Sequence, residues 1–313
     1  MSVELGVVVL CYGPDADPNV SALLENLAAQ GVGPGSMTVV QNPSRDQPKL
    51  ALPKAEISLL APDRNVGYAG GMNLGIKHLV ARGCDLLLLL TMDARLQPSA
   101  VERLVEAAIG TPAFGVLGPE LRWTGTGRTS YGVMWGRGGA IDHIVVAPDS
   151  FTFGGIVECD SIDGAIVMTR REVVEKVGLL QDRLFMYYEE TEFCLRVKRA
   201  GWKVGVVGGA VGEQSPGESR RPGAFNYLVA RNGLEFSRQL AGSPGVVSAL
   251  GRDIAQSWRL LRMRFSPRSG PGRRRYATVS LVGLWRGVLA YFQRRWGPPP
   301  VDLPGLGDIT LAN

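Results

Sequence analysis

Three carboxylates crowd against aromatic side chains in "FMYYEETEF", residues 185–193: Glu189, Glu190 and Glu192 follow Phe185, Met186, Tyr187 and Tyr188. Apolar surroundings raise a carboxyl pKa, and a base near neutrality is what deprotonation of an alcohol uses. A helix N-terminus also favours acids, so the same stretch reads equally as the acidic first turn of a helix. On such a helix consecutive residues diverge, so only one of Glu189 and Glu190 need face a cleft. Glu192 and Arg196 lie one turn apart and can pair.

Other chemistry-bearing residues stand apart in the chain. In "DRNVGYAGGMNLG", Gly67, Gly70, Gly71 and Gly75 open a helix between Asn65 and Asn73. That pattern admits a phosphate near the backbone, or simply makes a tight strand-to-helix turn. Asp93 ends the apolar run "LLLLLTMD", where it is either a hard oxygen ligand for Mg²⁺ or Mn²⁺ shared with a diphosphate, or a helix cap before Pro98. Asp163 and Gly164 form a "DG" that by itself reads as a turn between strands.

Positioning these groups requires an α/β chain. "LGVVVLCY" (5–12), "SMTVVQNPS" (36–44), "ISLLAPDRN" (57–65) and "CDLLLLLTMD" (84–93) read as strands, with helical periodicity over 18–31 and 67–83 between them. The alternation predicts a mostly parallel, Rossmann-like sheet with helices on both faces. Ligands in such sheets bind beyond the carboxyl ends of the strands, which gathers Tyr12, Gln41, Asn42, Asn65 and Asp93. A glycine-rich stretch over 115–155 carries short strand-like pieces, including "SFTFGG". "VECDSIDGAIVMTRREVVEKVG" reads as two strands and a helix, "EETEFCLRVKRAG" as a helix, and "WKVGVVGGA" as a strand. "GEQSPGESRRPG" (212–223) has loop composition. Three helices follow Asn226, separated by Gly/Pro/Arg linkers. These divide the chain into 1–225, a helical region 226–297, and a tail 298–313 whose composition predicts disorder.

Composition narrows the function classes. Four cysteines lie far apart with no CxxC pair and the chain has two histidines, so neither a zinc site nor a disulfide framework is indicated, and a reducing cytosol fits. The N-terminal apolar run lacks a basic lead and is too short to span a bilayer. Net charge is +5, with the arginines concentrated after residue 250. These basic helices, with Trp258, Trp285, Phe292 and Trp296 interleaved, fit either an anionic membrane surface or a packed cap or homo-oligomer interface. Nucleic acid is not an expected partner.

Taken in order, the motifs resemble the inverting family 2 glycosyltransferases of the GT-A fold, in the branch with rhamnosyl- and galactofuranosyltransferases. "VVVLCYG" is similar to that family's first strand, "VVQNPS" to its nucleotide-binding segment, and "NVGYAGGMNLGI" to its N-G-A-G-N-G signature. "LLLLTMDARLQP" is similar to its DxD strand, "DGAIVMTRREVVEKVGLL" to its acceptor segment, and "FMYYEETEFCLRVKRAGW" to its FMYYED block. The resemblance, from about Val7 to Asn232, implies a GT-A domain with a C-terminal helical extension. Its activity would be hexosyltransferase-type transfer from a nucleoside-diphosphate sugar, UDP or dTDP type, to a hydroxyl on a glycan, a lipid-linked molecule or a small molecule.

Carried over residue by residue, the resemblance places Tyr12, Gln41 and Asn42 at the base, and Asn65, Gly67, Gly71 and Asn73 at the ribose and diphosphate. Thr91 and Asp93 would be what remains of DxD, with Mg²⁺ or Mn²⁺ at Asp93. Glu190 would be the general base, with Asp163, Gly164 and Glu189 near the acceptor and Arg196 steadying the helix. Three departures stand out. Thr91 replaces the first acid of DxD, Gln41 replaces an aspartate, and Gln214, beside Glu213, stands where a histidine is usual; Gln is a poorer transition-metal ligand than imidazole. Arg220 or Arg221 would face the leaving group. A catalytically impaired nucleotide-sugar-binding protein is the alternative these departures leave, and a nucleotidyltransferase is a further one, disfavoured because "CYGPDADP" has no Lys or Arg.

Overall fold

The computed structural model describes residues 3–13, 15–44, 50–136, 138–148, 151–215 and 221–306. Strands β1 (Leu5–Cys11), β2 (Met37–Gln41), β3 (Ser58–Leu60) and β4 (Leu86–Thr91) alternate with helices α1 (Ala16–Ala28) and α2 (Gly67–Ala81). Then come β5 (Ala94–Leu96), α3 (Ala100–Gly110), β6 (Phe114–Trp123), β7 (Arg128–Ser130), β8 (Val133–Trp135) and β9 (Ile141–His143). Next are β10 (Ile156–Cys159), β11 (Ile166–Arg170), α4 (Arg171–Val177), α5 (Glu189–Arg199) and β12 (Lys203–Gln214). Two long helices, α6 (Pro222–Phe265) and α7 (Pro271–Phe292), complete the order.

The main sheet runs β10-β12-β6-β11-β4-β1-β2-β3, with β5 added to β12 and β7 to β6. Strands β1 to β4 are mutually parallel, as the alternation of strand and helix requires. β11 enters antiparallel between β4 and β6, and β10 antiparallel on β12, so the sheet is mixed beyond its parallel half. Among the described residues only β8 and β9 pair outside it.

Burial on both faces explains the unbroken apolar strands. Val7, Val9, Leu86, Leu88 and Leu90 point into a core with α1 and α3; Val8, Leu10, Leu87 and Leu89 point into a second core with α2, α4 and α5. Each buried leucine contributes roughly 2 kcal/mol relative to exposure. β4 therefore anchors its own end, and Asp93 just beyond it, against a rigid support.

Two expectations change and one holds. The described part of "SFTFGG", residues 151–155, forms no strand; its glycines exchange backbone hydrogen bonds with Gly208 in β12, Gly154 N donating at 2.9 Å and Gly208 N to Gly155 O at 2.8 Å. The break expected between the first two C-terminal helices is present within α6: Ala241 and Gly242 leave helical geometry (Gly242 φ 64°), and the second helix starts just after, at Pro244. The tail is not loose over 298–306: Leu303 is buried against Phe185 and Tyr227, and Gly223 N donates to Gly305 O at 3.2 Å. Asp302 pairs with Arg286 at 2.9 Å. An apolar anchor in a Pro-rich segment overrides its composition. Residues 307–313 lie outside the described ones.

Candidate active site

Two adjoining cavities open at the carboxyl ends of β1, β2 and β4, where the topology of the strands puts a ligand. The first, about 630 Å³, is lined by Tyr12, Asn42, Asn65, Gly67, Thr91, Asp93 and Arg221 among others. The second, about 720 Å³, takes Asp163, Gly164, Glu189, Glu190 and Gln214. Tyr68, Thr91, Asp93, Met186 and Tyr187 line both, so these residues form the partition between the two.

On the first side, the amides hold the loop more than they offer themselves. Asn42 Nδ2 donates to Asn65 Oδ1 at 2.8 Å and to Gly67 O at 3.1 Å, while its Oδ1 accepts from Val66 N at 2.9 Å. Asn65 Oδ1 also accepts from Gly67 N at 2.9 Å. Gly67 has φ 73°, and a Cβ there would lie 2.3 Å from Phe185 O, so the first turn of α2 is locked against the segment leading to α5. Ala69 N donates to that same carbonyl at 3.2 Å.

Three residues assigned to the donor by resemblance are not among those lining the first cavity. Gln41 is buried and its Oε1 accepts from Leu50 N at 3.1 Å, outside the cavity lining. Gly71 is a packing residue: a Cβ would fall 2.5 Å from Leu10 Cδ1 on β1. Asn73 faces the chain before α5, accepting from Leu180 N at 3.0 Å and donating to Leu180 O at 2.8 Å and to Asp182. Arg221 lies over the Tyr12 ring at 5.2 Å on the cavity edge; Arg220 falls outside the described residues.

Asp93 is not a helix cap, because β5 intervenes before α3. Its Oδ2 accepts from Gln214 Nε2 at 3.3 Å, so the residue standing where a histidine is usual does reach this acid. Glu213 turns to Gln97, accepting at 2.8 Å. Among the described residues no three His, Cys, Asp or Glu cluster to form a metal cage. The donor set is one hard carboxylate beside a cavity, which suits a cation that takes its other ligands from water and a diphosphate. Thr91 Oγ1 is buried without a partner between the cavities, and so lacks a hydrogen bond that a bound group would supply.

The second side centres on the start of α5. Phe185, Tyr187 and Tyr188 all have left-handed backbone (φ 67°, 71° and 72°), a strained run just before Glu189. α6 holds it: Asn232 Nδ2 donates to the carbonyls of Leu184 (3.0 Å), Met186 (3.0 Å) and Tyr187 (2.8 Å). The fully buried Arg231 donates to Leu184 O at 2.9 Å and to Gly297 O at 2.7 Å. Burial lowers the Arg231 pKa to about 10, which leaves it charged at neutral pH.

The three glutamates then separate. Glu192 is structural, bound by Gln181 at 2.6 Å and Arg196 at 2.9 Å. Glu189 is buried with Oε2 unpartnered; burial, then the neighbouring Glu190, pushes its carboxyl well above the usual range. Glu190 is half-buried on the second cavity, accepts from Thr191 Oγ1 at 3.0 Å, and is pushed up to about 6 by burial, with Asp163 adding to the rise. Asp163 accepts from Ser130 Oγ at 2.7 Å and lies 3.5 Å from His143 Nδ1. Gly164 O accepts from the Tyr68 hydroxyl at 2.5 Å, and a side chain at Gly164 would press on Tyr68 and Glu190.

Trp123, Arg128 and His143, on β6, β7 and β9, line the second cavity and were not singled out in the glycine-rich stretch. Arg128 lies 5.3 Å over the Trp123 ring, and His143 meets that ring edge-on at 5.0 Å. His143 being one of two histidines in the chain is the only sequence signal that points to it.

Comparison with known proteins identifies the family and the fold. The family model described as "Glycosyltransferase like family 2" matches residues 4–232. A low-salt glycan biosynthesis hexosyltransferase, Agl10 of Haloferax volcanii, is 23% identical over 311 residues, covering 95% of this chain and 93% of the relative. The N-acetylglucosaminyl-diphospho-decaprenol L-rhamnosyltransferase of Mycobacterium tuberculosis is 27% identical over 227 residues, covering 64% and 73%. The crystal structure of GalNAc-T7 with UDP, GalNAc and Mn²⁺ superposes with TM-score 0.56 at 12% identity, covering 73% of this chain and 48% of that one. With its Rossmann-like half-sheet and paired cavities, the chain is a GT-A glycosyltransferase and belongs to glycosyltransferase family 2.

Proposed function

We propose that this enzyme transfers a sugar from a nucleoside-diphosphate sugar, UDP or dTDP type, to an acceptor hydroxyl with inversion, Glu190 acting as general base. The observation that carries the reading is the position of Glu190 on the wall of a second cavity, joined at Thr91 and Asp93 to the cavity whose strand ends and Arg221 suit a nucleotide. Donor and base thus lie on opposite sides of one partition. The Glu190 carboxylate takes the acceptor proton; the hydroxyl oxygen bonds to the anomeric carbon as the carbon–oxygen bond to the diphosphate breaks on the opposite face. A single displacement inverts the centre.

Tyr12 and Asn42 border the base and ribose end, and the unpartnered Thr91 hydroxyl donates to the bound sugar or phosphate. Asp93 would hold Mg²⁺ or Mn²⁺, which when bound neutralises charge on the diphosphate; Arg221 adds fixed positive charge nearby. Asp163, oriented by Ser130, Gly164 and the buried Glu189 shape the acceptor side. The relatives named for glycan and lipid-linked substrates favour a glycan or lipid-linked acceptor.

The test is Glu190→Gln. Transfer should fall by at least about a thousandfold, while UDP or dTDP binding by calorimetry stays within about twofold of wild type. Retained turnover refutes the base assignment.

A further inference from the structure

We infer that the tip of the α6–α7 hairpin docks on an anionic lipid bilayer, an interaction separate from the transfer chemistry and independent of which residue is the base. The last turns of α6, the connection and the first turn of α7 carry Arg259, Arg262, Arg268, Arg273, Arg274 and Arg275, all exposed, and none makes an ion pair among the described residues. No Asp or Glu occurs between Asp253 and Asp302. Nothing nearby in sequence neutralises this charge, in a chain whose total is only +5.

Large apolar side chains stand exposed among these arginines. Trp258 is 63% and Phe265 71% exposed, and Tyr276 is exposed at the start of α7. Val247, Ile254, Trp258 and Phe265 are spaced by seven, four and seven residues, which at 3.6 residues per turn puts them on one side of α6. All four are exposed, whereas Ala249, Ser257 and Leu260 on the other side are buried. Arg264 lies over the Phe265 ring at 5.4 Å and bonds Thr278, fixing the tip between the helices.

A stripe of aliphatic and aromatic side chains rimmed by arginines has the composition of an interfacial segment. The rings and Ile254 enter the headgroup boundary while the guanidinium groups meet lipid phosphates. A nucleic acid would engage the arginines but leave Val247 and Ile254 without a partner. A second copy of the chain would set one arginine cluster against another. Among the described residues no helix is long and apolar enough to cross a membrane, so the contact is with the surface. Trp296 is not part of this face: it lies inward, under Arg183 at 4.5 Å and Arg231 at 5.5 Å.

The experiment is co-sedimentation of the full chain with vesicles of phosphatidylglycerol and phosphatidylcholine, or of phosphatidylcholine alone. Binding is expected to the anionic vesicles and not the neutral ones, and to weaken at high salt. Arg273→Gln/Arg274→Gln/Arg275→Gln should weaken it by roughly a hundredfold, and Trp258→Ser/Phe265→Ser by about tenfold or more. Circular dichroism melts and nucleotide affinity should match wild type, which separates a lost surface from a lost fold. Equal binding by the variants, equal binding to neutral vesicles, or no binding overturns the inference. So does a dimer in light scattering that Trp258→Ser/Phe265→Ser splits, or capture of an oligonucleotide without capture of anionic vesicles.

Discussion

Asn232→Ala probes how a distant helix holds the start of α5. The Asn232 amide group has two hydrogens for three carbonyls within 3.0 Å, and its Oδ1 accepts from Arg231 Nε at 2.9 Å. Truncation leaves Leu184 O still bonded to Arg231, so the loss falls on Met186 O, Tyr187 O and Arg231 Nε. Three groups at about 1 kcal/mol each come to about 3 kcal/mol, or a drop in melting temperature of roughly 4–6 °C for a chain of 313 residues. The same bonds restrain three left-handed residues, each costing about 1 kcal/mol or more, so the freed segment relaxes toward ordinary backbone. That relaxation carries Tyr188 and, two residues on, Glu190. A shift approaching 1 Å costs up to about a hundredfold in rate, so kcat should fall by tenfold or more. Asn232→Asp keeps the acceptor for Arg231 and removes only the donors; it should reproduce the kcat loss. Scanning calorimetry and a coupled nucleoside-diphosphate release assay read both quantities. Wild-type melting and turnover in Asn232→Ala would refute the claim that this side chain positions the base.

Two further predictions concern ionisation and metal. Because burial raises the Glu190 pKa from 4.5 to about 6, the basic form accumulates above pH 6, so kcat should climb through that pH to a plateau; a flat profile between pH 5 and 8 would contradict the assignment. The folded state holds that proton more tightly than the unfolded chain, so wild type loses about 2 kcal/mol as pH rises from 4.5 to 6. Glu190→Gln avoids that loss and should melt higher than wild type above pH 6, though not below pH 4.5. For the metal, Mn²⁺ should tighten UDP or dTDP binding to wild type but not to Asp93→Asn, as read by calorimetry and by the Mn²⁺ resonance signal; an unchanged nucleotide affinity in EDTA would show that Asp93 holds no cation.

What the sequence disclosed follows the range of the interactions involved. The apolar runs of β1, β2 and β4 announce burial on both faces, and that alone places Asn42 just past β2 and Asp93 just past β4. Glu192 and Arg196 are legible because a helix brings residues four apart together. Gln41 and Asn73 were assigned to the donor because they stand in nucleotide-binding motifs; their side chains instead satisfy backbone groups at Leu50 and Leu180, which tertiary folding alone brings near. Trp123, Arg128 and His143 were missed for a related reason: only pairing of β7 with β6 and of β9 with β8 carries them to the cavity. Composition misjudged residues 298–306 because one buried leucine in a Pro/Gly segment outweighs the residues around it.

The joint where that tail meets the helices bears on how the enzyme can be altered. A Cβ on Gly223 would fall 1.9 Å from Pro304 O, and one on Gly283 would fall 2.4 Å from Gly223 O. Three stretches of backbone, from the start of α6, the middle of α7 and the tail, therefore meet with no side chain between them. The α6 end pinned here carries Arg221 into the first cavity and Phe225 into the second. Shortening the protein before residue 303, or placing any larger residue at Gly223 or Gly283, would shift a wall shared by donor and acceptor. Changes remote from the chemistry would then read out as altered substrate preference as well as lost stability.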